Sequence, residues 1–208
     1  MDREKNKTGL EAVDYVLNCE AQEIQNLTRT LNPQQLEMLM QALKKCKGKI
    51  ITTGCGTSGA AAKKVAHTFN CIEMPALYLS PAEALHGGMG VIQKEDVVIF
   101  FSKGGHTSEL KPIVQASKVK QALSVAVTEA EKCYLTEYSD MVLKVKISQE
   151  PDQFNMLATA STLGVIAVFD AIAIALANEK GYTKEEFLLI HPGGEVGERL
   201  LTQTEKMR

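Results

Sequence analysis

A chain of 208 residues, 45% hydrophobic and 23% charged, has the size and composition of one globular domain with its own core. Its formal net charge of −2 excludes a general electrostatic attraction to nucleic acid or to anionic lipid. The five cysteines form no C-x-x-C pair, and the first residues contain no apolar stretch. We therefore expect reduced thiols, no secretory leader and a cytoplasmic location.

Two helices are predicted in the first 48 residues. Apolar residues recur at roughly helical spacing in "GLEAVDYVLNCEAQEIQNLTRTL", and Pro33 begins "PQQLEMLMQALKKC", which we expect Gly48 to end. The two helices are mixed in charge and too few to form a DNA-reading module. No nucleic-acid partner is expected.

Five short β-rich runs follow, namely "KIITTG", "ALYLS", "DVVIFFS", "ALSVAVT" and "DMVLKVK". Helical stretches at residues 58–71 and 108–118, and a break around residues 134–138, separate most of them. Alternating short strands and helices predict an α/β fold with a parallel sheet covered on both faces. In such sheets ligands bind at the carboxyl ends of the strands, so the chemistry is expected just after each strand.

The segment from Met156 to Ala177 is nearly all apolar and long enough to span a bilayer. However, Asp170 lies inside it, polar residues crowd its first turns, and no Trp/Tyr belt flanks it. A helix that is apolar all round also suits the centre of an α/β domain or a subunit interface. We interpret it in that way and expect no membrane partner.

The turn after the first strand, "GCGTSG" at residues 54–59, opens a helix. Small residues let the backbone approach an anion, and a helix N-terminus offers free N–H groups. The pattern also reads G-x-G-x-x-G, but a dinucleotide site needs an acidic residue where the second strand ends, and Ser80 stands there. A phosphate-binding turn is favoured, and a plain tight turn is the alternative.

The turn after the third strand has the same design. Ser102, the pair Gly104 and Gly105, and Thr107 lead into a helix, combining flexible backbone with hydroxyl donors. Two such turns in one sheet are more specific than either alone, and no Walker lysine-serine pair follows them. A small phosphorylated metabolite is therefore the predicted ligand.

Four motifs in order, "GCGTSG", "SPAEALHGGMG", "SKGGHTSE" and "IHPGGEVGERLL", resemble the SIS (sugar isomerase) domain family over about residues 35–201. They are most similar to the isomerase domain of arabinose-5-phosphate isomerases. The resemblance implies a three-layer αβα sandwich with a five-stranded, parallel, flavodoxin-like sheet. It divides the single domain into N-terminal helices (1–48), a core (49–201) and a tail (202–208).

The same resemblance implies phosphosugar ligands and active sites built between subunits, so a homodimer or homotetramer is expected. Longer arabinose-5-phosphate isomerases carry a pair of CBS domains, which this sequence lacks. Family members that control transcription usually carry a basic helix-turn-helix region in front, and the first 48 residues supply nothing of that kind.

The resemblance also assigns phosphate-binding residues. Ser58 matches the phosphate-contacting serine of the first turn, and Ser102 and Thr107 match the ends of an S-x-S-x-x-T/S loop. Gly104 stands in place of its middle serine, and Lys103 either supplies compensating charge or is solvated. The predicted substrate-binding set is Thr57, Ser58, Glu83, Ser102, Lys103, Gly105 and Thr107.

Four acid–base candidates follow from the resemblance. Glu150 and His191 match family positions, and His86 lies in the SIS-like segment "AEALHGG". The family has a lysine where Thr57 stands and a glutamate where His106 stands. His106 therefore either replaces that glutamate as an acid–base group or marks a site that binds without turnover.

Aldose–ketose isomerisation needs a base that moves a proton between C1 and C2 through an enediol, and an acid–base pair that opens the ring. Glu150, with a pKa raised by burial, is the predicted base, and His191 or His86 the ring opener. No metal or redox cofactor is required. Arabinose 5-phosphate and ribulose 5-phosphate are the leading substrate pair by resemblance, and a phosphosugar sensor without turnover is the alternative.

Overall fold

The computed structural model describes residues 7–193. Its centre is one sheet of five parallel strands in the order β2-β1-β3-β4-β5, the order of flavodoxin-like doubly wound sheets. The predicted fold class is thereby confirmed. The strands are β1 (Ile50–Gly54), β2 (Ala76–Tyr78), β3 (Val97–Phe101), β4 (Leu123–Thr128) and β5 (Met141–Lys144).

Helices cover both faces of the sheet. Two short 3₁₀ turns, Gly88–Val91 and Ser108–Leu110, accompany them. The helices are α1 (Gly9–Thr30), α2 (Pro33–Lys44), α3 (Gly56–Asn70), α4 (Pro81–Ala84), α5 (Lys111–Val119), α6 (Tyr134–Tyr138), α7 (Ala160–Lys180) and α8 (Lys184–Ile190). The first three and α7 pack on one face, and α4, α5 and α6 on the other.

Alternation along the central strand builds the two halves of the core. In β3, Ile99 and Phe101 belong to the cluster under α3 and α7, whereas Val98 and Phe100 belong to the cluster under α5. Successive strand residues point to opposite faces, so a run of five buried residues supplies both layers. The short continuous apolar strands of the sequence are explained by this double burial.

Some boundaries differ from those predicted. α2 ends at Lys44 rather than at Gly48. Gly48 instead allows close approach to the loop before β3, because a Cβ on it would overlap the Asp96 carboxylate and lie 2.9 Å from the backbone of Glu95. The helix predicted at residues 108–118 begins as a 3₁₀ turn and becomes α-helical only at Lys111.

The apolar segment predicted from Met156 becomes helical only at Ala160. The Asp152 carboxylate accepts backbone N–H bonds from Phe154, Met156 and Leu157, which holds the preceding residues in turns. Within residues 7–193, α7 is the one helix long and apolar enough to cross a membrane. Of its most apolar 18-residue stretch, 44% is buried inside the fold. It packs against α1 and α3.

Candidate active site

The two predicted turns lie side by side. β1 and β3 are neighbours, with Gly54 opposite Phe101, so residues 55–58 and 102–107 leave the same edge of the sheet. The helix after β1 packs on one face and the helix after β3 on the other. This is the topological switch point, where open α/β sheets form a crevice for ligands.

One cleft opens between the two turns. Four predicted binding residues line it together: Thr57, Ser58, Ser102 and Lys103. Its other polar lining residues are Thr128, Glu129, Ser161 and Thr162, and its apolar walls are Ala61, Phe101, Val127, Val145, Ala158 and Val165. The cleft therefore combines hydroxyl groups, one ammonium and one carboxylate over an apolar floor.

The second turn is closed by its own hydroxyl groups. Ser102 Oγ lies 2.8 Å from Thr107 Oγ1, and the Gly105 backbone N–H donates to Ser102 Oγ at 3.1 Å. Two hydroxyls thus lie side by side in the turn, and the Gly105 N–H is already bonded to Ser102. Hydroxyl groups can rotate to donate to an anionic ester oxygen.

The turn requires glycine at position 105 because of the backbone conformation there and because there is no room for a side chain. Its φ is +70°, and a Cβ there would overlap the Cys133 sulfur and lie 2.9 Å from the Cys133 Cβ. Its carbonyl also accepts the N–H of Leu135 at 3.2 Å, which ties the turn to α6. The neighbouring Gly104 has nothing within 4 Å of an added Cβ.

We expect Gly105→Ala to lower the free energy of unfolding by ~1–3 kcal/mol, because the strained φ and the overlap with Cys133 act together. Gly104→Ala is the matched control and should change it by less than ~0.5 kcal/mol. Urea unfolding followed by circular dichroism measures both. Equal stability of the two variants would contradict the tight packing of this turn.

Glu150 lies buried behind the cleft, with 1% of its side chain exposed. Its Oε1 accepts hydrogen bonds from Lys103 Nζ at 2.6 Å and from the Ser161 hydroxyl. Its Oε2 accepts the backbone N–H groups of Thr159 at 3.1 Å and Ser161 at 3.3 Å. The carboxylate therefore caps the positive end of α7 and holds the lysine of the second turn.

The pKa of Glu150 is shifted downward. Burial alone would raise it, but the hydrogen bonds from Lys103 and Ser161, with the lysine charge, outweigh burial and lower the pKa below its usual value. Sequence reasoning anticipated a pKa raised by burial, and that expectation was wrong in sign. The cause is the ion pair, which the sequence did not reveal.

The loop that carries Glu150 is braced from the N-terminal helices. The buried Glu23 of α1 accepts the Ser148 backbone N–H at 2.7 Å, and Asn155 Oδ1 accepts the Glu150 N–H at 2.6 Å. α1 and the loop after β5 are thus joined by a charge-assisted hydrogen bond. These contacts support a role for α1 in positioning the loop that carries Glu150.

Glu129 was missed by sequence reasoning. It follows β4 directly, and its Oε1 lies 4.0 Å from Lys103 Nζ. Lys103 therefore faces two carboxylates, hydrogen-bonded to Glu150 and only close to Glu129. Polar groups that follow parallel strands meet at one edge of the sheet. The position of Thr128 and Glu129 at the end of β4 could therefore have identified them as site residues from the sequence.

The remaining candidates do not line this cleft within residues 7–193. His106 is exposed in the second turn. Glu83 and His86 are exposed around α4, which follows β2 and contacts the 3₁₀ turn Ser108–Leu110 at the same edge of the sheet. These three side chains are therefore exposed in the segments that follow β2 and β3.

The structure does not bring His191 into the lining of this cleft within residues 7–193. α7 starts beside Glu150, spans 21 residues or about 31 Å, and ends with Lys180 3.9 Å from Glu73, before β2. His191 follows α8, stacks on Phe187 and has Nδ1 3.1 Å from its carbonyl. The rest of "IHPGGEVGERLL" beyond Gly193, and the tail 202–208, lie outside the described residues.

Comparison with known proteins identifies the family of the chain. The SIS domain family model matches residues 42–175. The chain is 32% identical to arabinose 5-phosphate isomerase KpsF of Escherichia coli over 192 residues, 92% of this chain and 61% of that protein. This chain thus spans about three-fifths of the length of that relative.

Two solved structures are similar over nearly their whole length. A Listeria monocytogenes protein described as a candidate sugar-phosphate isomerase is 44% identical with a TM-score of 0.87, covering 93% of this chain and 100% of that one. A protein of E. coli CFT073 in complex with arabinose 5-phosphate is 28% identical with a TM-score of 0.84, covering 88% and 97%. The chain belongs to the SIS domain family.

Proposed function

We propose that this protein is a phosphosugar aldose–ketose isomerase of the arabinose-5-phosphate/ribulose-5-phosphate type, acting in the cytoplasm. The observation that carries the proposal is the meeting of two hydroxyl-rich turns in one cleft, with the buried Glu150–Lys103 pair beside them. The similarity to KpsF and to a structure that holds arabinose 5-phosphate supports the same substrate class.

Binding begins with the ester group. Ser58 from the first turn, and Ser102 and Thr107 from the second, donate to the phosphate oxygens, and the Lys103 ammonium supplies positive charge. Hydrogen bonds to a charged group are stronger than neutral ones. The ester is anchored at the switch point, and the carbon chain extends toward Glu129 and Glu150.

Glu150 is the proposed base at carbon. Its carboxylate removes the C2 proton of the open aldose, and the C–H electron pair forms the C1=C2 bond of an enediol while the C1 carbonyl oxygen gains a proton. Return of the proton from Glu150 to C1, with loss of the O2 proton, gives the ketose. A bound phosphate competes for Lys103, and partial loss of that partner makes Glu150 more basic.

Ring opening is assigned to the histidines. His86 and His106 are exposed in the segments that follow β2 and β3, whereas His191 follows α8 and does not line the cleft of its own chain. A homodimer or homotetramer would bring His191 from a partner subunit. Exposed apolar residues on three helices support self-association, namely Leu10, Leu17, Ile174 and Leu189.

We expect an equal mixture of Glu150→Gln and His191→Ala chains, refolded together, to regain about a quarter of wild-type activity, because a site that takes one group from each subunit is intact once in every mixed dimer. Each variant alone should be nearly inactive. Steady-state turnover of arabinose 5-phosphate measures this. A mixture as inactive as its components, with mixed dimers verified by mass spectrometry, would place both groups in one chain.

Deuterium exchange tests the reaction itself. The protein is incubated in D₂O with pentose, hexose and hexulose phosphates, and NMR follows C1 and C2. Isomerisation through an enediol incorporates deuterium at these carbons and produces the other sugar. Absence of exchange from every sugar phosphate would refute the isomerase.

A phosphosugar-binding protein without turnover is the second candidate. Thr57 and His106 favour it, because the family resemblance implies a lysine and a glutamate at these two positions. The lowered pKa of Glu150 also makes it a weak base in the ligand-free state. Calorimetric binding of a sugar phosphate combined with no deuterium exchange would identify this function.

A further inference from the structure

We propose that Glu129 is a second catalytic residue of this cleft, which exchanges protons with the substrate oxygens at C1 and C2 while Glu150 acts at the carbons. The inference rests on the proposed isomerase function and adds to it the residue for oxygen-to-oxygen proton transfer. It is drawn from the placement of Glu129 beside Lys103 in the lining of the cleft.

The environment of the carboxyl group supports proton exchange. Glu129 Oε1 is buried and has no hydrogen-bond partner among residues 7–193, although it belongs to a residue that lines the cleft. A buried polar atom without a partner is costly in a folded protein and requires an explanation. A substrate hydroxyl or carbonyl oxygen in the cleft would provide that partner.

Lys103 interacts unequally with the carboxylates of Glu129 and Glu150. Its Nζ lies 2.6 Å from Glu150 Oε1 but 4.0 Å from Glu129 Oε1. Glu150 therefore receives the hydrogen bond and most of the charge stabilisation. Two neighbouring carboxylates with unequal environments are a recurring way to obtain an ionised base and a protonated acid in one site.

The charges around Glu129 act in the same direction. Burial is the largest influence on Glu129 and raises its pKa, and the negative charge of Glu150 raises it further. The charges of Lys103 and Lys146 and the hydrogen bond from the Ile147 backbone N–H lower it, but the net shift is upward. The pKa of Glu150 is shifted downward. Glu129 thus retains its proton to higher pH than Glu150 does.

The proton balance closes with these two residues. Protonated Glu129 donates to the C1 carbonyl oxygen as the Glu150 carboxylate removes the C2 proton, which gives the enediol. The Glu129 carboxylate then accepts the proton from O2 as the C2 carbonyl forms, and Glu150 returns its proton to C1. Both residues regain their starting state, and no oxidant, reductant or further reactant is consumed.

Glu129→Gln tests this role, with Glu131→Gln as the matched control. Glu131 lies two residues further along the same loop, with 77% of its side chain exposed and paired with Lys144. We expect kcat to fall at least ~100-fold in Glu129→Gln, with calorimetric affinity for arabinose 5-phosphate within about threefold of wild type. Glu131→Gln should keep wild-type kcat.

The pH profile separates proton transfer from a merely structural role. Since Glu129 must be protonated to start a turnover, wild-type kcat should decline as pH rises through its raised pKa. Glu129→Asp should keep this alkaline decline at a reduced rate, and Glu129→Gln should lose it. Wild-type kcat and an unchanged alkaline decline in Glu129→Gln would overturn the inference.

A direct titration serves where the glutamine variant does not fold. Carbon-13 NMR of the glutamate carboxyl carbons should give Glu129 a titration midpoint above that of Glu131, and a midpoint at or below Glu131 would overturn the inference. Failure of the isomerase proposal has a different signature, because wild type itself would then show no deuterium exchange. Failure of the role of Glu129 leaves that exchange intact.

Discussion

Glu150→Gln is expected to lower kcat for sugar-phosphate isomerisation by ~10²–10⁴-fold without weakening ligand binding. Glutamine keeps the shape and an acceptor oxygen for the Thr159 and Ser161 N–H groups, so the cap on α7 is retained. It has no carboxylate to accept a carbon-bound proton. Steady-state kinetics give kcat, and titration calorimetry gives the affinity.

Glu179→Gln is the matched control for that variant. It breaks an ion pair of the same 2.6 Å length, between Glu179 and Lys44, but on an exposed surface at the opposite end of α7. Exposed pairs of this kind contribute little, and kcat should stay at the wild-type value. If the Glu150 variant also retained wild-type turnover, the base would have to be a different residue.

Replacing both Ser102 and Thr107 by alanine is expected to weaken phosphate-ester binding by a few kcal/mol, at ~1.5–3 kcal/mol for each hydrogen bond to a charged group. The two hydroxyls lie 2.8 Å apart in the second turn, so one ester oxygen can contact both. Calorimetry with arabinose 5-phosphate and with arabinose isolates the phosphate contribution. Only the phosphorylated sugar should lose affinity.

Ser108→Ala is the control for the double variant. Ser108 follows Thr107 directly, but its hydroxyl is exposed and bonds the Glu109 carboxylate at 2.8 Å. Affinity for the ester should therefore be unchanged in this variant. An unchanged affinity in the double alanine variant as well would show that the second turn does not hold the phosphate.

The sheet and the meeting of the two turns were predictable because they depend on backbone rules. Parallel strands that are buried on both faces read as apolar runs, and their carboxyl ends lie at one edge. Gly54 and Phe101 are consequently neighbours, and Ser58 and Ser102 line one cleft. Local turn chemistry and strand order were sufficient for that part.

Side-chain pairing was not predictable in the same way. Whether Lys103 is solvated or paired depends on the fold of residues 148–161, far along the chain, and its contact with Glu150 reversed the expected pKa shift. The place of His191 depends on the course of the chain through α7 and α8, and His191 does not line the cleft within residues 7–193. Such long-range contacts have no signature in a single sequence.

A crystal structure with a soaked sugar phosphate measures most directly where the phosphate binds. We expect the phosphorus to lie at the switch point between β1 and β3, with ester oxygens within hydrogen-bonding distance of Ser58 Oγ and Ser102 Oγ. The sugar carbons should extend toward Glu129 and Glu150. A phosphate bound in any other place would contradict the proposal that these two turns form the anion site.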